Sequence, residues 1–313
     1  MDIFDFFRSI GITPIVFQFM LVNAILGLSI YLTLYTGMFS LANAGFMGIG
    51  AYVGVILTQT YDQPLLVGLV GGMLIAGLIA VPIGLPVLRL RDIYLAIATI
   101  GFGEVVRIFI LNFDTLATTL TGERVRLTRG ALGISGIPVL TQTWHLLLFI
   151  VVISYIIYRM ARSRFGRSMA AIRQDEQAGA NMGINVVLTK NIVFILSAML
   201  AAAAGVFNAH LVRTISPDGY GFRQAVDILT YAVLGGTTTL AGPIVGGLTM
   251  TALPEILRIA EQFRGVINGL ILMLMIVYLP GGLVDPALWR GLYQRLFRRA
   301  SKDQPEPSAE KST

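Results

Sequence analysis

Apolar runs of helical length alternate with short polar stretches along almost the whole chain. The runs cover Pro14–Thr36, Leu41–Leu57, Leu65–Leu88, Ile93–Phe113, Thr143–Tyr158, Asn191–Leu211, Ala225–Leu240, Pro243–Ile259 and Val266–Leu279. A helix of about 20 apolar residues crosses the hydrocarbon core of a bilayer. The pattern therefore predicts an all-α protein, a polytopic membrane helical bundle of about eight to ten spans.

Glycine interrupts two of these runs. Leu41–Leu57 carries glycine at 45, 48, 50 and 54, and residues 233–247 read V-L-G-G-T-T-T-L-A-G-P-I-V-G-G. Such segments are typical of tightly packed spans or of broken, re-entrant helices that line a transport path. If Leu41–Leu57 and Ala225–Leu240 both cross, the pattern favours nine spans with the N-terminus outside. If Leu41–Leu57 is re-entrant, it favours eight with the N-terminus inside. The polar stretch Asp114–Gln142 is predicted to be an extramembrane loop with little structure of its own.

Composition places the protein in a membrane and excludes several chemistries. Of 313 residues, 55% are hydrophobic and 13% are charged, against about 25% charged in a soluble domain. Cysteine is absent, which excludes disulfides, iron–sulfur clusters and thiol catalysis. The net charge of +6 does not indicate nucleic acid, because the arginines lie beside apolar runs.

Charge also predicts an orientation. Fourteen basic residues fall in loops 89–91, 159–190 and 290–313, and eight fall on the opposite side. Because cytoplasmic loops carry the excess of Lys and Arg, the first set is expected in the cytoplasm. Arg124, Arg126 and Arg129 run against this bias.

The loop 159–190 is the most polar stretch between two apolar runs. It holds six Lys or Arg and two acids. Ser168 is predicted to cap a helix that runs to Met182, and Gly183 is predicted to end it in a left-handed conformation. Seven residues are close to two turns, so Ala171, Ala178 and Met182 are predicted to share one face. We interpret the segment as a helix that leaves the membrane to bind a cytoplasmic protein. The alternative is a solvated loop that only carries positive-inside charge.

Few residues within the apolar runs carry chemistry. Glu104 and Arg107 lie one turn apart and are predicted to pair, either to fix helix packing or to gate or line a path. Asn43 is a further intramembrane polar residue. The chain has no phosphate-binding G-x-x-x-x-G-K-[ST] motif, and its two histidines, His145 and His210, lack metal-ligand spacing. We therefore predict no catalytic residue, no cofactor and no metal. No line of acids crosses the membrane, which weighs against a proton-coupled carrier.

Five blocks resemble the permease subunits of ABC importers for branched-chain amino acids, most closely the second of the two paired permeases. They are S-L-A-N-A-G-F-M-G-I-G-A-Y at 40–52, Y-L-A-I-A-T-I-G-F-G-E-V-V-R at 94–107, G-I-S-G-I-P at 133–138, G-R-S-M-A-A-I-R-Q-D-E-Q-A-G-A-N-M-G-I-N at 166–185, and the block at 233–247. The fourth resembles the family's coupling segment, which docks into the ATPase.

The resemblance implies a multi-pass protein of the bacterial inner membrane. The expected partners are a second permease subunit, two cytoplasmic ATP-binding subunits, a periplasmic or tethered solute-binding protein and membrane lipid. Residues 1–289 would form the transmembrane permease domain, and residues 290–313 a basic, largely disordered cytoplasmic tail. The residues expected to contact the ATPase are Ser168, Ala171, Arg173, Asp175, Glu176, Ala178, Met182 and Gly183. Those expected on the path or gate are Asn43, Glu104 and Arg107.

Two alternatives stay open at this point. The last block more usually has glycine and serine where Thr238 and Thr239 stand, so the same machinery could carry urea, short amides or aromatic acids. A secondary carrier driven by an ion gradient is the other reading.

Overall fold

The computed structural model describes residues 13–90, 92–256, 273 and 282–284. Five of its helices are long and apolar enough to cross a membrane: α1 (Pro14–Tyr35), α3 (Leu65–Val87), α4 (Asp92–Thr121), α5 (Thr143–Ala161) and α8 (Val186–Val212). In the described residues, β-structure is limited to β1 (Ile134–Ser135) and β2 (Thr214–Ile215), which pair antiparallel. The predicted all-α, polytopic membrane bundle is confirmed.

Helix α8 lies at the centre of the bundle. It packs against α1, α3 and the shorter helix α2 (Asn43–Val55), and Ala201 to Ala204 are fully buried. Its side chains are small where the neighbours come closest. A Cβ added at Gly205 would overlap the carbonyl oxygen of Met47, and one at Gly50 would overlap that of Ala202. Small residues of this kind let helix backbones approach closely in a membrane.

Helix α2 begins inside the bundle. Residues 36–42 before it are not a regular helix, and the backbone N–H of Leu41 donates to Thr99 Oγ1 on α4 at 2.9 Å. The helix continues through a π-helical turn, Ile56–Thr60, and Gln59 Nε2 then donates to the carbonyl of Ser135. Leu41–Leu57 thus runs from within the bundle to one of its ends, as a broken helix rather than a re-entrant hairpin.

Contacts near the ends of the helices define two sides of the bundle. Gly37, just after α1, lies against the Cα of Arg173, so the end of α1 shares a side with loop 159–190, here called the coupling side. The other side, the outer side, joins Gln18 to Thr143 and contains the β1–β2 pair.

Helix α4 is longer than its apolar run predicts. Its 30 residues extend for about 45 Å, so its last turns project beyond a hydrocarbon core of about 30 Å on the outer side. The prediction of an unstructured stretch from Asp114 is therefore wrong for its first part, because α4 continues to Thr121. The remainder is ordered by a short 3₁₀ helix, Gly130–Leu132, and by β1.

The predicted crossing Ala225–Leu240 is not one continuous helix. Helix α9 (Phe222–Gly235) has 14 residues, about 21 Å, and ends at Gly236 with φ +96°. Helix α10 (Ala241–Ile256) then packs back against α9 and against α1. Glycine allows this hairpin, because a Cβ at Gly235 or Gly246 would collide with the facing backbone. The predicted span Val266–Leu279, apart from Met273, and the tail 290–313 lie outside the described residues, so the total span count stays a prediction.

We expect Gly205→Ala to lower the stability of the folded protein, since overpacking typically costs about 1 to 3 kcal/mol. Gly101→Ala is the matched control, because a Cβ at this glycine of α4 would meet nothing within 4 Å. Thermal unfolding in detergent would measure both variants. Equal stability of the two variants would contradict the packing described for α8.

Candidate functional site

The coupling element, defined as residues 163–185, is two helices rather than one. Helix α6 (Arg164–Gln174) begins at Ser163, whose Oγ accepts from the N–H of Gly166 at 3.3 Å. The prediction that Ser168 caps this helix is wrong. Ser168 lies in the second turn, and its hydroxyl donates to the carbonyl of Arg164 at 3.2 Å.

Asp175 breaks the predicted helix. Its backbone is extended, and its carboxylate accepts from the N–H groups of Gln177 and Ala178 at 2.8 and 3.0 Å, so it caps α7 (Glu176–Asn181). Such a cap satisfies free amides of a helix start, which stabilises a new helix in a new direction. The left-handed stop at Gly183 is confirmed, with φ +83°.

The break at Asp175 separates the residues that were predicted to share one face. Ala171 is half-buried on α6, whereas Ala178 and Met182 are exposed, Met182 by 81%. Gly179 is buried against Ile172 and Ile184, which fixes α7 to α6. The exposed face of α7 and the turn after it is therefore the surface that the element offers to a partner.

Sequence reasoning missed how α7 is attached to the bundle. Lys190 Nζ on α8 lies 2.8 Å from Glu176 Oε2 on α7, and Lys190 is 7% exposed. A buried lysine is retained when its charge is paired. The available signal was a lysine at the very start of an apolar run, 14 residues after an acid. On the other side of the element, the backbone of Arg173 packs on Gly37 after α1.

Glu104 and Arg107 pair as predicted, and a third residue joins them. Arg107 Nε donates to Glu104 Oε1 at 2.8 Å, and Nη1 donates to Asp218 Oδ1 at 2.6 Å. Asp218 lies in the 3₁₀ turn Pro217–Tyr220, which precedes α9. Arg107 is 25% exposed at its side chain, Glu104 41% and Asp218 78%. Arg107 therefore connects α4 to this turn through an ion pair whose Asp218 side is exposed.

The same turn forms one wall of a polar cavity. This cavity, of about 380 Å³, opens between α1, α2, α8 and α9. Its lining residues with polar side chains are Asn23, Asn208, Thr214, Ser216, Tyr220, Gln224 and Tyr231. The volume lies within the range of about 300 to 1,000 Å³ that small-molecule sites occupy.

Asn43 is held by other helices and is absent from the lining of this cavity. Its Nδ2 donates to Ser29 Oγ on α1 at 2.8 Å and to Ser197 Oγ on α8 at 3.0 Å. All three side chains are buried. Such hydrogen bonds hold membrane helices together. The geometry therefore favours a packing role for Asn43 over a path-lining one.

No group of three or more His, Asp or Glu side chains capable of holding a metal occurs in the described residues. His210 uses Nε2 toward Thr58 Oγ1, at 2.9 Å, and Nδ1 toward the carbonyl of Val206, at 2.8 Å. The first contact joins α8 to the π-helical turn after α2, and the second lies within α8 itself.

The chain is similar in sequence to known membrane permeases. Residues 12–279 match the family model described as the permease component of branched-chain amino acid transport systems. The chain is 30% identical to the high-affinity branched-chain amino acid transport system permease protein LivM of Salmonella typhimurium and to LivM of Escherichia coli, over 84% of its length in each case. It spans 65% of the length of those relatives.

More distant similarities extend to other permeases. A 125-residue part, 39% of the chain, is 30% identical to the permease protein LivH of Escherichia coli and covers 40% of it. The autoinducer 2 import system permease protein LsrC of Shigella flexneri is 25% identical over 79% of the chain and 72% of its own length. No solved structure matches.

The Arg107–Asp218 contact predicts a change in access to the cavity. Asp218→Asn should weaken the ion pair without unfolding the protein, because Arg107 keeps Glu104. An exposed pair contributes about 0.4 to 1 kcal/mol, which corresponds to an about two- to fivefold shift in the open population. The chain lacks cysteine, so a single Asn208→Cys residue can report on the cavity. Its labelling by a membrane-impermeant maleimide should become about two to five times faster.

Asp62→Asn is the control, since Asp62 is exposed in the outer turn after α2 and forms no ion pair among the described residues. Arg107→Met should instead lower stability by about 0.4 to 2 kcal/mol, because two partly exposed ion pairs are lost and each contributes about 0.2 to 1 kcal/mol. Equal labelling rates in the Asp218→Asn and unmodified backgrounds would contradict a role for the Arg107–Asp218 pair in limiting access to the cavity.

Proposed function

Since the chain belongs to the family of permease components of branched-chain amino acid transport systems, we propose that it forms a membrane path for branched-chain amino acids in an ABC importer. The family match over residues 12–279 carries the proposal. The polar cavity on the outer side and the coupling element on the opposite side support it, since an importer needs a solute entrance and an attachment for its ATPases. The protein is a multi-pass protein of the bacterial inner membrane.

The proposed partners follow from the two surfaces and from the names of the relatives. LivM and LivH relatives are named as permeases of the same kind of transport system, which supports a second, paired permease subunit. Two cytoplasmic ATP-binding subunits would contact the exposed face of α7. The chain itself would hydrolyse no ATP, and the energy would come from these subunits.

The solute is proposed from the family and from the cavity. A branched-chain amino acid has a zwitterionic head and an apolar tail. The cavity pairs amide and hydroxyl groups, among them Asn23, Asn208 and Gln224, with apolar neighbours such as Phe19 and Met47. Urea and short amides would leave its apolar wall unused. Uptake assays with labelled leucine, urea and phenylalanine in competition would separate these alternatives. Preferential uptake of urea would contradict the proposed substrate.

The mechanism we propose runs through α8. ATP binding closes the two ATPases, which displaces α7. The ion pair between Glu176 and Lys190 passes this displacement to the coupling end of α8. Helix α8 carries Asn208 at the cavity near its other end, so movement of α8 changes the shape of the cavity. An ion-coupled carrier works without ATPase subunits, so it would not require the exposed helix pair α6–α7 on the coupling side.

Ala178→Trp tests the docking surface. Ala178 is exposed, and a bulky indole there should prevent close contact with an ATPase. We expect solute uptake by the assembled importer to fall at least tenfold, whereas the free energy of unfolding of the permease should change by no more than about 0.5 kcal/mol. Uptake and thermal unfolding, measured on the same preparations, would check both parts.

Val187→Trp serves as the matched control, because Val187 is also exposed, at 48%, in the first turn of α8. Uptake by this variant should stay close to wild type. If Ala178→Trp also transports normally, the coupling assignment is wrong.

A further inference from the structure

A second charged surface lies on the outer side, far from the coupling element. Arg124, Arg126 and Arg129 line an open bowl, together with Thr115, Thr118 and Thr119 of the last turns of α4. Its volume is about 870 Å³. All three arginines are exposed, and none forms an ion pair among the described residues. Three exposed cations thus converge on one concave surface, here called the arginine bowl.

The loop that carries these arginines is held in a defined shape. One carboxylate, that of Asp114 on α4, accepts three backbone N–H groups: Leu127 at 2.9 Å, Thr128 at 2.9 Å and Arg129 at 2.7 Å. Thr118 Oγ1 also accepts from the N–H of Val125, at 3.1 Å. Hydrogen bonds to a charged acceptor are about twice as strong as neutral ones. The backbone of the loop is therefore pre-organised, and only the arginine side chains have to be ordered on binding.

The position of the bowl indicates a partner in water. Asp114 lies 22 residues after the first residue of α4, about 33 Å along the helix from the coupling side, and Thr121 lies about 44 Å along it. The hydrocarbon core is about 30 Å thick, and the bilayer with its headgroups about 40 to 45 Å. By this measure the bowl begins where the core ends, so a soluble protein would reach it without entering the hydrocarbon.

The charge on this side needs an explanation. Positive residues close to spans are normally retained on the cytoplasmic side, yet three lie here within six residues. Exposed arginines on a pre-organised backbone are suited to bidentate binding of carboxylates. They also raise the association rate of an acidic protein by electrostatic steering.

We infer that the arginine bowl is the docking surface for an acidic face of the soluble protein that delivers solute to the outer side. The inference rests on the proposed function, since the family resemblance implies a solute-binding protein as the soluble partner of such an importer. Carboxylates of the binding protein would pair with Arg124, Arg126 and Arg129. The β1 strand that follows this loop pairs with β2, which leads into the cavity wall at Ser216. Docking would therefore place the delivered solute beside the polar cavity.

The first experiment uses the reconstituted importer with its solute-binding protein. The triple variant Arg124→Gln/Arg126→Gln/Arg129→Gln should raise the binding-protein concentration needed for half-maximal ATPase stimulation at least tenfold. Basal ATPase activity and assembly should not change. Wild-type affinity should fall steeply between 50 and 200 mM salt, and the variant should lose most of this dependence. The same-face control, Arg213→Gln/Arg223→Gln, removes exposed arginines outside the bowl and should leave the affinity within about twofold of wild type.

A second experiment needs no binding protein. Spheroplasts that express the permease expose its outer side to a fluorescent poly-L-glutamate probe, and the triple variant should abolish the increment in binding seen with wild type. The inference would be overturned if the triple variant kept both its affinity for the binding protein and its binding of the probe. Normal basal ATPase activity in that case would leave the proposed function intact. The inference would also be overturned if phosphatidylglycerol, added to neutral-lipid nanodiscs, stabilised wild type but not the triple variant, with normal stimulation by the binding protein. The bowl would then be a lipid site.

Discussion

Close backbone packing around α8 is the constraint on which the rest of the structure depends. In lipid, apolar side chains gain little by leaving one apolar surface for another, so helices associate through tight packing and hydrogen bonds. Gly50 against Ala202 and Gly205 against Met47 allow α2 to touch α8 without intervening side chains. The hydrogen bonds from Asn43 to Ser29 and Ser197 then fix the relative height of α1, α2 and α8.

This packing makes α8 the physical connection between the two sides. Lys190 lies at its coupling end and is paired with α7, whereas Asn208, two residues before His210, faces the cavity near its outer end. The short helices α2 and α9 end or begin beside this outer region. In the proposed mechanism, movement of α8 would therefore change the cavity wall. The Arg107–Asp218 pair holds the Pro217–Tyr220 turn, which forms another part of the cavity wall.

Sequence patterns predicted the parts of this architecture that depend on local chemistry. Apolar length identified α1, α3, α5 and α8 within a few residues, and spacing alone predicted that Glu104 and Arg107 pair. Patterns could not predict contacts between distant segments. Asp218 meets Arg107 from 111 residues away, and Glu176 reaches Lys190 across a helix break. The break at Asp175 is not evident from the pattern, because an aspartate within a polar stretch fits the middle of a continuous helix as well as the cap of a new one. The turn between α9 and α10 lies close to where the pattern separates the apolar runs Ala225–Leu240 and Pro243–Ile259, but α9 ends five residues before its run does, because Gly236 takes a positive φ.

The proposed transmission of movement from α7 through α8 to the outer cavity can be measured as a distance change in the assembled importer. In the assembled importer, a spin label on Asn208→Cys, paired with a second label on Thr143→Cys at the start of α5, reports the distance across the outer side with and without ATP and vanadate. The account predicts a change in this distance for wild type, its loss in Lys190→Glu, and its recovery in the charge-swapped Glu176→Lys/Lys190→Glu variant. A distance change of wild-type size in Lys190→Glu, with ATPase binding intact, would contradict it.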